Sequence, residues 1–132
     1  MDGMATVREP PLGAHLKTSR RGYTHHGIYV GHNRVVHYSG LSGLWHCGPV
    51  EEVSLSRFAV GRPLQVVNRD SASYSPQQII RRARSRIGED DYRLLTNNCE
   101  HFCNWCVCGV SRSAQTERGW LLPFRVFTLF HT

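Results

Sequence analysis

The sequence has no apolar run of about 20 residues, the length a helix needs to cross a bilayer. Its mean hydropathy is negative, which excludes a polytopic membrane protein. The N-terminus lacks the basic-then-apolar order of a secretory signal. Cysteine is present but in an odd number, five, with four of them crowded into 99–108, which is no disulfide framework. A reduced, cytoplasmic setting is therefore expected. Acidic residues are scarce: 10 stand against 16 Lys and Arg, for a formal charge of +6. Such a balance draws a protein toward anionic lipid or nucleic acid. The densest basic run, Arg81, Arg82, Arg84 and Arg86, has none of the interleaved aromatics that base stacking wants, so no nucleic acid is expected and the run reads as a solvated helix face.

What remains is 132 residues, enough for one domain with a single core. Residues 1–22 hold Pro10, Pro11, Gly13 and a basic cluster with little apolar periodicity, and read as a flexible lead-in. Residues 23–30 and 34–38, rich in β-branched and aromatic side chains, read as a β-hairpin around Gly31, His32 and Asn33. Its register decides whether two histidines meet. A two-residue turn sets His37 opposite Ile28, away from His25, whereas an odd three-residue loop sets it opposite Gly27, on the face of His25. A two-histidine site thus predicts the odd loop.

Beyond the hairpin, 50–57 reads as a short helical turn and 64–67 as a buried strand. Ser75, Pro76 and Gln78 announce a helix with a capping box, an apolar stripe of Ile79, Ile80, Ala83 and Ile87, and a stop at Gly88. Asn97 or Asn98 caps a second helix, from about Cys99 to Cys108 before Gly109.

Cys99 falls in the first turn of that helix. There a thiol faces unpaired backbone N–H groups and the positive end of the helix dipole, which favour the thiolate, and the same amides can receive an oxyanion. An imidazole alongside would complete a nucleophile and base, with His25 the natural partner and His37 able to orient it. His101 sits off the face of Cys99 and is expected to make a structural hydrogen bond, while Glu100 supports the helix N-terminus. Cys103 and Cys106 share a helical face, but zinc wants a second ligand pair and only the scattered His46 and Cys47 are at hand. Apolar packing of these thiols, with no metal and no cofactor, is the expectation.

The run Asn98-Cys99-Glu100-His101-Phe102, together with Thr24-His25-His26-Gly27-Ile28-Tyr29-Val30-Gly31 and Arg34-Val35-Val36-His37, resembles the cysteine and histidine motifs of the lecithin:retinol acyltransferase-like family, in the family's chain order. The resemblance covers 12–112, leaves 1–11 as lead-in and 113–132 as an apolar tail, and is nearest the short bacterial members. It implies an α+β fold, a circularly permuted papain-like (NlpC-type) arrangement with a small antiparallel sheet packed against helices. By the same resemblance Cys99 is the nucleophile, His25 the base, His37 the third, polarising member, and Tyr92 a residue near the nucleophile that steadies the oxyanion. Gly13-Ala14 departs from the Gly-Asp common in the family, and His26 stands where relatives carry an aromatic or apolar residue, pointing away from His25 as a structural or surface group.

The implied activity is acyl transfer from a glycerophospholipid through a thioester on Cys99, to water or to an alcohol or amine. The apolar stretch at 120–130 either packs on the domain or lies at a membrane interface, where a basic surface would give peripheral association. Two rivals share these residues. An amidase or peptidase of the NlpC kind would take its specificity from loops such as 39–48, whose three glycines suggest mobility. A non-catalytic lipid-binding module would keep the motifs for packing alone.

Overall fold

In a computed structural model that describes residues 9–41, 47–67, 72–92 and 98–109, the chain forms five antiparallel strands and three helices. The strands are β1 (His15–Arg20), β2 (Tyr23–Gly31), β3 (Arg34–Leu41), β4 (Cys47–Ser54) and β5 (Leu64–Val66), in sheet order β4-β3-β2-β1-β5. The helices are α1 (Leu55–Ala59), α2 (Pro76–Ser85) and α3 (Cys99–Cys108). The α+β architecture implied by the resemblance is thus the one observed. Residues 1–8 of the expected lead-in and the whole tail 113–132 lie outside the described residues.

Three corrections come from strands that the sequence disguises. The stretch before Tyr23 is not a lead-in throughout, because β1 sits inside the sheet between β2 and β5. His15, Leu16 and Thr18 are all buried, on both faces of the sheet, so the strand shows no clean alternation. The expected helical turn at 50–57 is mostly strand β4, and α1 begins only at Leu55, capped by the Ser54 hydroxyl, which accepts from the Arg57 amide at 3.1 Å. The ends of the supposedly mobile loop 39–48 are likewise the facing arms of β3 and β4, with Gly40 opposite Gly48; residues 42–46 lie outside the described set.

The hairpin reaches the predicted parity by another route. His32 (φ 52°) and Asn33 (φ 58°) form a two-residue turn in the left-handed region, and a bulge between Tyr29 and Gly31 adds the odd residue. The register Ile28–Val36 then puts His37 on the same face as Gly27 and His25. Two-residue turn and two-histidine face are compatible because the bulge changes the count by one.

The sheet separates two cores. On one face Ile28, Val30, Val36, Tyr38 and Val50 pack against Ile79 and Ala83 of α2 and Phe102, Cys103, Cys106 and Val107 of α3. On the other, Leu16, Tyr29, Val35 and Val53 surround Phe58 of α1. The Ser75 capping box forms as expected. Yet α2 stops at Ser85, because the following segment turns to the edge of β4, where Gly88 donates to the Val50 carbonyl and Val50 to that of Glu89. Ile87 is therefore exposed rather than part of the stripe. Nor are the arginines all solvated: the Arg82 guanidinium lies between the rings of Tyr74 (4.1 Å) and Trp105 (3.8 Å) and donates to the Trp105 carbonyl, clamping α2 to α3.

Candidate active site

Helix α3 is started by Asn98, whose side-chain oxygen accepts from the amides of Glu100 (2.9 Å) and His101 (3.0 Å) while His101 Nδ1 accepts from the Asn98 amide (3.2 Å). His101 is thus the structural capping residue expected of it. This box engages two of the first-turn amides that were candidates for an oxyanion, those of Glu100 and His101, and the Cys99 amide lies outside it. Cys103 and Cys106 are fully buried in the core.

Cys99 reaches the sheet from the side of α2 and α3. Its thiol donates to the Thr24 carbonyl across 3.9 Å, and the amides of His26, Cys99 and Glu100 also bear on the sulfur. Tyr29 exchanges backbone hydrogen bonds with Gly13 and Ala14, on the β1 side, so by alternation the polar backbone groups of Thr24 and His26 face β3. The β2–β3 ladder runs from the turn only to Ile28–Val36, whereas β2 stays paired with β1 as far as Tyr23. The thiol thus rests on the edge of β2 beyond the end of the β3 ladder.

His25 projects to the opposite face. Its Nε2 lies 2.6 Å from His37 Nδ1, and His37 Nε2 lies 3.0 Å from Glu51 Oε2. Three adjacent strands thus carry one line of hydrogen bonds. Phe58 covers both imidazoles, with ring centroids 5.3 Å from His25 and 5.8 Å from His37. That approach requires Gly27, since a Cβ there would stand 2.6 Å from Val35 Cγ1 and 2.7 Å from Phe58 Cε1. Arg20 donates to the Phe58 carbonyl and brings a positive charge beside Cys99 and His25.

Burial dominates the protonation states. It pushes the Cys99 thiol up to about 12, against the pull of the His26 amide and with a further push from the Glu100 carboxylate. The thiolate expected from the helix dipole is therefore not the resting form. Burial likewise holds His25 well below 6.5, helped by His37 and Arg20, and lowers His37 against the opposing bond and charge of Glu51. Neutral thiol and neutral imidazoles are the resting state at neutral pH.

The sequence-derived residues thus fall into three groups. His25 and His37 are joined directly. Cys99 is seated on the backbone that flanks His25. Tyr92 packs edge-on against Tyr38 at 5.3 Å, in the core on the α3 side. His26 does point away from His25, and it is buried, with its Nδ1 2.7 Å from His15 Nε2. Sequence reasoning missed Glu51 and Phe58, because reading 50–57 as a helical turn concealed that Glu51 stands directly opposite His37.

The sequence model of the lecithin retinol acyltransferase family matches residues 8–112. Human phospholipase A and acyltransferase 2 is 38% identical over 129 residues, covering 85% of this chain and 80% of its own length. Human phospholipase A and acyltransferase 3 is 35% identical, covering 86% and 80%. Rat lecithin retinol acyltransferase is 30% identical, covering 78% of this chain and 56% of the relative. The fold, the motif order and these matches agree, and the chain belongs to the lecithin retinol acyltransferase family.

Proposed function

We propose that the chain is a cysteine-dependent acyl hydrolase or acyltransferase acting on the ester of a glycerophospholipid. One observation carries the reading: the Cys99 thiol is seated on the backbone of Thr24 and His26, on either side of His25, whose Nε2 is already engaged by His37. The family and the names of the phospholipase and acyltransferase relatives supply the substrate class.

With both groups neutral at rest, Cys99 attacks as its Sγ–H proton passes to His25, so no ion pair needs to be formed beforehand. The tetrahedral oxyanion is received by the Cys99 amide and, as the resemblance implies, the Tyr92 hydroxyl. His25 then returns the proton to the departing lysophospholipid oxygen, leaving an acyl thioester on Cys99. Water, an alcohol or an amine takes the acyl group and restores the thiol. A charge of +6 suits peripheral approach to an anionic lipid surface.

Intact mass after incubation with a short-chain phosphatidylcholine, with released fatty acid followed in the same sample, tests the reading. Wild type should show an acyl adduct or fatty-acid release, and Cys99→Ala neither. Equal release from both proteins, or none from either alongside cleavage of a peptide amide by wild type, would overturn it.

A further inference from the structure

The hydrogen-bond line does not end at the third histidine. We propose that Glu51 is a fourth, positioning member of the site, which acts through His37 to fix the proton of His25 on Nε2 and leave Nδ1 as the atom that receives the thiol proton. This rests on the Cys99 and His25 reading above.

The argument is one of donors and acceptors. An ionised carboxylate only accepts, so His37 Nε2, 3.0 Å from Glu51 Oε2, must carry a hydrogen. A neutral imidazole has one N–H, which makes His37 Nδ1 an acceptor. His25 Nε2, 2.6 Å away, must then be the donor, and the His25 lone pair is left on Nδ1. Without an acceptor-only group at 51 the line has no direction: the mirrored order, with hydrogens on both Nδ1 atoms, satisfies the same two histidines and leaves His25 without a lone pair at Nδ1. Glu51 thus selects one of two otherwise equivalent arrangements.

Geometry and burial favour the role. His37 and Glu51 are cross-strand partners on β3 and β4, so the bond is set by the sheet register rather than by a loop. The His37 side chain is 10% exposed and that of Glu51 39%, so the carboxylate keeps an outer edge open to solvent while its partner is largely enclosed. The groups that face His37 are His25 from β2, Glu51 from β4, Arg20 from β1 and Arg57 from α1. Glu51 alone among them is an anion. Its neighbour Glu52 is engaged elsewhere, by Arg34 (3.4 Å) and Arg84 (3.1 Å).

During turnover the Sγ–H proton moves to His25 Nδ1, and the resulting imidazolium keeps its Nε2–H on His37. No proton has to reach Glu51. The same Nδ1–H later goes to the leaving oxygen. The carboxylate orients the pair and stabilises the transient cation through His37.

The test compares wild type, Glu51→Gln, Glu51→Asp and Glu52→Gln by two readouts. Long-range 1H–15N spectra of ring-labelled histidine report tautomers without any substrate, and kcat/KM against pH for a short-chain phosphatidylcholine reports function. Wild type should show His25 and His37 each with hydrogen on Nε2. Glu51→Gln should lose that single-tautomer pattern, because an amide both donates and accepts. It should lower kcat/KM at neutral pH about ten-fold, less than a fully buried orienting carboxylate would, because part of Glu51 is in water. Its acidic limb should move to lower pH, since the charge that favours a protonated pair is gone. Glu51→Asp should restore the tautomers, and Glu52→Gln should change neither readout. Unchanged tautomers in Glu51→Gln, or a loss of rate with the acidic limb unmoved, would overturn the proposal. A wild type with fixed tautomers and no lipid turnover would instead count against the substrate class, leaving the role of Glu51 decided by the spectra.

Discussion

A thiol held at about 12 and an imidazole held well below 6.5 do not exchange a proton at rest. At pH 7 such a thiol is overwhelmingly protonated. Alkylation of Cys99 by iodoacetamide should accordingly be slow at neutral pH and rise steadily to above pH 9; a plateau below pH 7, in peptide mapping of the labelled protein, would reveal a preformed ion pair instead. The buried imidazole also sets an acid limit. Because the folded chain holds His25 below 6.5, the unfolded chain binds that proton first as pH falls. The contribution of His25 is complete above about 6.5 and is lost below it, toward the folded value. The urea midpoint should fall between pH 7 and pH 5, and fall less in His25→Asn. The pairing of His25 with His37 and the place of Cys99 at the head of α3 were legible in the sequence, because motif and chain order singled those residues out. The balance between helix dipole and burial was not, since a sequence records that a cysteine heads a helix but not that it is 2% exposed. Gly27 was hidden for the same reason. It matters only because Phe58 arrives against it, and Gly27→Ala should cost about 1–3 kcal/mol in chemical denaturation while displacing the ring that covers both imidazoles.

Among the elements, α1 carries an evident misfit. Its C-cap is Val60 at φ 52°, a β-branched residue in the left-handed region with 60% of its surface exposed. Val60→Gly removes strain without removing core, and should raise the unfolding free energy by about 1 kcal/mol; an unchanged or lowered denaturation midpoint would contradict this. The clamp between α2 and α3 works the other way. Arg82→Ala should lower stability by about 1 kcal/mol, and Arg82→Lys should not restore it, because a planar guanidinium between the Tyr74 and Trp105 rings is what the geometry uses. Helices α2 and α3 were readable since Ser75, Gln78, Asn98 and Gly109 act locally, through their own hydrogen bonds and backbone angles. Strands β1 and β4 were not, because their pattern is imposed by neighbours distant in sequence.

Across the whole molecule, the site is a property of strand order. His25, His37 and Glu51 come from β2, β3 and β4, neighbours in the sheet, while the thiol comes from a helix packed on the reverse side. A continuous hydrogen-bonded ladder would be a wall between the Cys99 thiol and the His25 imidazole. The ladder stops at Ile28–Val36, and the Thr24 and His26 backbone groups on which the sulfur rests face the strand edge left open there, so on the proposed reading the proton passes through the sheet rather than across one face of it. On that reading a change that zipped β2 and β3 together one step further would make a more regular sheet and silence the chemistry, with Cys99, His25 and His37 all still in place.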